Sequence, residues 1–239
     1  MKRKLYRFHV TYEVFEDVLW REIEVPSDMR LDRLAYIVLT TFDTLAYRKF
    51  RFELGEVEFM ELPYYDAHDD TLPDPREYLL SDLKLRRNSK LYLVYCLEGE
   101  ATFTLRFMSS EDKECTEPRI SDGCGKGIID DITVSEFECK TREILDTGST
   151  EALYLSLESK DYEPWNIKDF NIEENRRFVE KYAPLIERQY AVKEVYIPKI
   201  ERPEPVIGGP PYGSRVSAYL GITAERKGYR SIVKKKKDK

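Results

Sequence analysis

The stretch Trp20-Arg-Glu-Ile-Glu-Val-Pro-Ser-Asp-Met-Arg-Leu-Asp-Arg-Leu-Ala-Tyr-Ile-Val-Leu-Thr-Thr-Phe42 decides the fold class, because its pattern changes in the middle. The run from Leu19 to Val25 reads as a strand and stops at Pro26, which cannot donate to a ladder. Beyond it, Leu31, Leu34, Ala35, Val38, Leu39 and Phe42 recur at i, i+3, i+4, i+7, i+8 and i+11, one apolar stripe of a helix. Ser27 and Asp28 stand just upstream and are placed to cap its first amides.

Outward from this junction, residues 5–14 alternate. Tyr6, Phe8, Val10, Tyr12 and Val14 share one face, and Arg7, His9, Thr11 and Glu13 the other. With the following run this forms a hairpin. Alternation resumes at Phe50, Phe52 and Leu54, turns at Gly55 and returns through Val57 and Phe59. A short Leu79–Leu83 turn leads to Leu91, Leu93, Tyr95 and Leu97, then through Glu98-Gly-Glu100 to Phe103, Leu105 and Phe107. The order predicts an α+β fold: a mixed β-sheet with a helix on one face, a β-grasp-like ββαββ core. From Glu111 to Gly127 the chain is polar and glycine-rich and reads as a loop. Leu153, Leu155 and Leu157 alternate as a further strand. A C-terminal helical segment starts at Asn171, an N-cap with Glu174 three residues on, and shows an apolar face at Phe178, Val179, Tyr182 and Ile186. Pro184 is expected to bend or end it.

Composition sets limits on function. The 239 residues are 41% hydrophobic, 13% aromatic and 35% charged, enough for a core. With mean hydropathy −0.56 and no apolar run near the roughly 18 residues of a bilayer span, no membrane role is expected. Lys2–Lys4 lead into an alternating segment and not an apolar h-region, so a cytoplasmic location is expected. The net charge of −6 is unevenly spread: residues 225–239 carry eight cations against two acids, a net +6, leaving −12 on the first 224. An acidic body repels phosphate backbones. Only Arg226, Lys227, Arg230, Lys234, Lys235, Lys236 and Lys237 offer a nucleic-acid or partner contact. Proline and glycine between Pro203 and Gly213 separate this tail from the rest, giving a domain over 1–190 and an extension over 191–239.

Several pieces resemble the plasmid pRiA4b ORF-3-like family, to which TnpR-like passenger proteins of insertion elements belong. Trp20 to Pro26 with Leu31 and Leu34 is similar to its W-R-x-I-x-V-P hairpin and helix, and Phe50 to the aromatic opening its next strand. Leu83 with Lys90 to Tyr95 resembles its central strand. Ser121-Asp-Gly-Cys-Gly125 resembles a worn P-P-E-D-C-G-G loop, and Trp165 to Asn175, especially Asp169 to Asn175, the F-D-x-x-x-x-N element. These occur in family order between residues 5 and about 188. The resemblance implies a fold and a mobile-element setting, without an established reaction. The chain is a divergent member: where the family has Y-D-F-G-D-D-W-x-H, this sequence has Tyr95 to Phe103. Cys96, Ala101 and Phe103 thus replace an aspartate, a tryptophan and a histidine, and a further family histidine falls at Ala46.

The remaining chemistry-bearing residues do not form a recognisable constellation. Cys115, Cys124 and Cys139 have eight and fourteen residues between them, against the close C-x₂₋₄-C pairs of structural zinc, so Cys115 and Cys124 read as reduced thiols. Asp66, Asp69 and Asp70 with His68 fall in a proline-bounded loop, which reads as solvated. Gly123-Cys-Gly-Lys-Gly127 lacks the Ser/Thr of a P-loop. Trp20 reads as a packed anchor. No cofactor is expected. The sequence thus points to a non-enzymatic binding or accessory module with an unidentified protein partner. The alternatives are a nucleic-acid-binding accessory of mobile DNA acting through the tail, and a metal-dependent enzyme.

Overall fold

The computed structural model describes residues 4–46, 48–60, 72–96, 99–113, 115–130, 132–149 and 167–191. Seven strands form one sheet: β1 (Leu5–Tyr12), β2 (Trp20–Pro26), β3 (Phe50–Leu54), β4 (Val57–Met60), β5 (Lys90–Cys96), β6 (Glu100–Glu111) and β7 (Arg119–Cys124). Their spatial order is β4-β3-β5-β6-β1-β2-β7. Among the described residues there are three α-helices, α1 (Leu31–Thr41), α2 (Val134–Thr147) and α3 (Ile172–Ala191).

The fold is α+β, but the expected mixed sheet is corrected: every neighbouring pair is antiparallel. The reason lies in where the α1 crossover lands. It leaves β2 and enters β3, and β1, β6 and β5 lie between those two strands. A crossover that ends beside its starting strand creates a parallel pair; this one travels past three strands. The parallel pair on which the β-grasp likeness would rest is therefore not shown.

α1 is apolar nearly all round, and ten of its eleven residues are buried, as expected of a helix enclosed on every side. Leu34, Val38 and Phe42 join Phe8, Val10, Ile23, Phe52, Leu93, Phe103 and Leu105 in one core. α3 runs antiparallel to α1: Asn175 reaches the Thr41 carbonyl at one end, and Glu187 pairs with Arg30 and Arg33 at the other. Asn175, Val179, Ala183 and Ile186 form its buried stripe at helical spacing.

Four local expectations change. Ser27 does not cap α1; its hydroxyl accepts from the Lys4 amide, while the Leu31 amide donates to the Tyr78 carbonyl. Main chain from a distant turn thus does the capping. The polar stretch 111–127 is not all loop, because β7 lies within it as an edge strand, where only Ile120 among its side chains must be buried. Pro184 does not end α3, which continues to Ala191; Pro184 itself is exposed, while Ala183 and Ile186 beside it stay packed. α2 was not expected. Its signals are Thr133, whose hydroxyl accepts from the Glu136 amide, and Gly148, which closes it at φ +74°. Asn171 does cap α3, accepting from the Glu173 and Glu174 amides. The strand expected at Leu153–Leu157 lies outside the described residues.

Candidate functional site

The second strand places Arg21 on the core face, opposite Val10. It is 0% exposed, which for an arginine demands compensation on every side. Its Nε donates to the Thr41 carbonyl at 2.9 Å. Nη1 donates to the Trp20 and Cys124 carbonyls at 2.8 and 2.6 Å, and Nη2 to the Gly125 carbonyl at 2.8 Å. The Phe42 and Phe170 rings lie 4.8 and 4.1 Å from the guanidinium carbon, one cation between two π faces. Burial lowers its pKa to about 10, with Asp43 and Cys124 acting in the opposite sense, so it is charged at neutral pH.

The glycine-rich segment closes around this cation. A Cβ on Gly123 would stand 2.6 Å from the Phe170 ring and 2.9 Å from Arg21 Cδ. One on Gly125 would meet the Val18 carbonyl at 2.3 Å, and one on Gly127 the Phe42 carbonyl at 2.1 Å. The glycines are there for close approach of chain to chain. The Gly127 amide donates to Asp43 Oδ2, and Asn175 Nδ2 donates to Asp43 Oδ1 and the Thr41 carbonyl. Arg21, Asp43, Asn175 and the glycines thus tie β2, the end of α1, β7 and the start of α3 into one joint.

The family-motif positions converge as well. Ala101 is opposite Tyr95, and Phe103 opposite Leu93, all four on the core face. The Phe103 ring lies 4.7 Å from Phe42 and 5.5 Å from Tyr12. Ala46 is buried at φ +49°, and two residues on, the Arg48 amide donates to the Tyr95 hydroxyl. Ala46, Ala101 and Phe103, the positions at which the resemblance implies two histidines and a tryptophan, are thus core. Cys96 is half-buried, and its thiol is raised by burial.

On the sheet face opposite α1, two bulges fall at one level. The β1–β6 register shifts between Arg7 and Phe8, and the β2–β7 register between Glu22 and Ile23. They open a groove of about 580 Å³ that crosses four strands and includes Arg7, Glu22, Arg87, Ser109, Ser110 and Ser121. Nearby, His9 Nδ1 sits 3.8 Å from Glu22, and its ring 5.3 Å from Trp20. Trp20 is half-buried there, consistent with a packed role.

The tail residues Arg226, Lys227, Arg230 and Lys234–Lys237 lie outside the described residues, as do Asp66, His68, Asp69 and Asp70. Among the described residues no group of three or more His, Cys, Asp or Glu could hold a metal ion. Cys115 donates to the Glu117 carbonyl, and the main chain of Cys124 holds Arg21. No helix among the described residues is long and apolar enough to cross a membrane. Sequence reasoning took the glycine segment as a loop and missed Arg21 as its partner. The signal was the W-R pair itself, an arginine between apolar residues on a core-facing strand position.

The plasmid pRiA4b ORF-3-like family model matches residues 4–174. The chain belongs to that family. Trp20-Arg21, the glycine loop and the Asp169–Asn175 element, separate in sequence, are the parts of the joint just described. No curated protein matches the sequence. A solved structure, the protein of unknown function MM3350 from Methanosarcina mazei Go1, is similar at TM-score 0.58 and 17% identity. The match covers 73% of this chain and 97% of that one, and it shows the fold alone.

Proposed function

We propose that this pRiA4b ORF-3-like protein is a binding or accessory module that catalyses no reaction. The observation that carries this reading is that Ala46, Ala101 and Phe103, which stand where the resemblance implies two histidines and a tryptophan, are all buried in the core. A reacting group needs a polar, accessible position near a proton donor or acceptor, and these positions are now packing. The domain ends near residue 190, and the remainder is an extension. The protein works in the cytoplasm, in the setting of mobile elements, with a protein partner. The test is affinity capture with the purified full chain, with and without nuclease, beside a broad hydrolase and nuclease screen. A stoichiometric protein partner that survives nuclease supports the reading. Steady turnover abolished by a single substitution overturns it.

A second reading rests on the charge split, +6 over residues 225–239 against −12 before them. In it the tail binds nucleic acid. Removing residues 225–239 then abolishes binding and its salt dependence; binding that persists unchanged removes the tail from consideration.

A further inference from the structure

β-Bulges re-aim side chains and leave ladder groups unpaired, and they recur beside binding sites. Here the two bulges fall at the same level because Phe8 pairs with Ile23, which puts both irregularities beside that pair. The groove between them runs from the turn before β5, across β6, β1 and β2, to β7. One end is cationic. Arg87 is exposed and has no ion pair among the described residues. Its turn is nonetheless held in place. The Asn88 amide donates to the Phe107 carbonyl at 2.8 Å, the Phe107 amide to the Ser89 carbonyl at 2.9 Å, and the Arg86 amide to Ser89 Oγ at 3.0 Å.

The second arginine is already committed: Arg7 pairs with Glu24 at 2.9 Å and Glu111 at 3.1 Å. The acid of the lining, Glu22, sits on β2, toward the far end from Arg87, and faces His9. Between the ends, on the Arg7 face, lie Met108, half-buried at the bulge, and Ser109 opposite Arg7. The volume is within the roughly 300–1,000 Å³ of small-molecule sites.

We propose that this groove binds a small organic oxyanion, its phosphate or carboxylate on Arg87 and Ser109, its apolar body on Met108. This deepens the binding-module reading by giving the module a ligand site, and it rests on that reading only in taking the ligand as unreacted. The experiment titrates the full chain with phenyl phosphate and with benzoate, using benzyl alcohol as the uncharged control, by calorimetry and amide shifts. The variants are R87A and, as a charge control, R177A, an exposed cation on α3.

Saturable binding of either anion, with shifts at Ser109 and Ser121, is expected; which of the two binds identifies the head group. R87A should weaken it at least about tenfold, as one lost charge-assisted contact does, while R177A and wild type bind alike. The inference is overturned by absent saturation, by R87A matching wild type, by equal loss in R177A, or by benzyl alcohol binding as well as the anions. Phenol released from phenyl phosphate and lost in R87A would instead refute the non-catalytic reading and leave the site standing.

Discussion

Replacing Arg21 tests the joint directly. Arg21→Met keeps most of the side-chain volume between Phe42 and Phe170 but removes every donor to the Thr41, Trp20, Cys124 and Gly125 carbonyls. Each buried acceptor left unsatisfied costs about 1–3 kcal/mol. Removing the charge returns part of this, because desolvating a guanidinium costs several kcal/mol. The Thr41 carbonyl also keeps its bond from Asn175 Nδ2. The balance is a loss of about 3–5 kcal/mol, the range seen when a buried charged contact is broken. For a domain of this size that lowers Tm by about 10–15 °C. Arg21→Lys keeps the charge and some donors but loses the planar fork and its stacking, so it should fall between, at about 2–3 kcal/mol. Urea denaturation followed by tryptophan fluorescence and far-UV circular dichroism measures the order wild type, Lys, Met. A Met variant as stable as wild type would sink the reasoning, since it would mean that the four carbonyls gain nothing from the cation.

The next three predictions use the same assay. Gly125→Ala, at φ +75° and 2.3 Å from the Val18 carbonyl, should cost over about 3 kcal/mol, against about 1 kcal/mol for Gly148→Ala, at φ +74° in open space; equal losses would refute the close-approach account. Asn175→Asp places a second carboxylate against Asp43 inside the joint and should destabilise by about 3 kcal/mol or more; a neutral effect would contradict the assigned contact. Burial, then the Glu138 carboxylate, raises the Tyr12 hydroxyl above the ordinary tyrosine value. Its folded pKa lies above its unfolded one, so the stability it contributes is full below pH ~10 and is lost as pH rises beyond, at up to about 1.4 kcal/mol per unit. Tyr12→Phe should lose less stability than wild type between pH 9 and 11; an identical slope would disprove this. Arg176→Ala frees the Ile120 carbonyl on the β7 edge and should raise self-association in light scattering, with a stability change of only about 1 kcal/mol.

Local pattern made most of the elements legible. The alternation over residues 5–14 and the stripe from Leu31 to Phe42 require only neighbours in sequence, because side-chain direction repeats every two residues in a strand and every 3.6 in a helix. The family resemblance worked in the same way, through short collinear motifs. α2 escaped because charged residues surround its few apolar positions, Val134, Phe137, Ile144 and Leu145, and its N-cap and terminal glycine went unread. β7 escaped because an edge strand with one buried residue has no alternation to show.

By itself, the sequence determined most of the strands and the two helices α1 and α3, that the fold is α+β, that charge is split between body and tail, and which family the chain resembles. Only the tertiary structure decided that the sheet is antiparallel throughout, since strand direction depends on where the α1 crossover lands and not on any residue pattern. It also gave three distant motifs a single purpose. Trp20-Arg21, Gly123–Gly127 and Phe170–Asn175 lie up to 155 positions apart, yet one buried cation needs acceptors and ring faces from all of them. The groove at the two bulges is likewise a property of register, and register is set between strands.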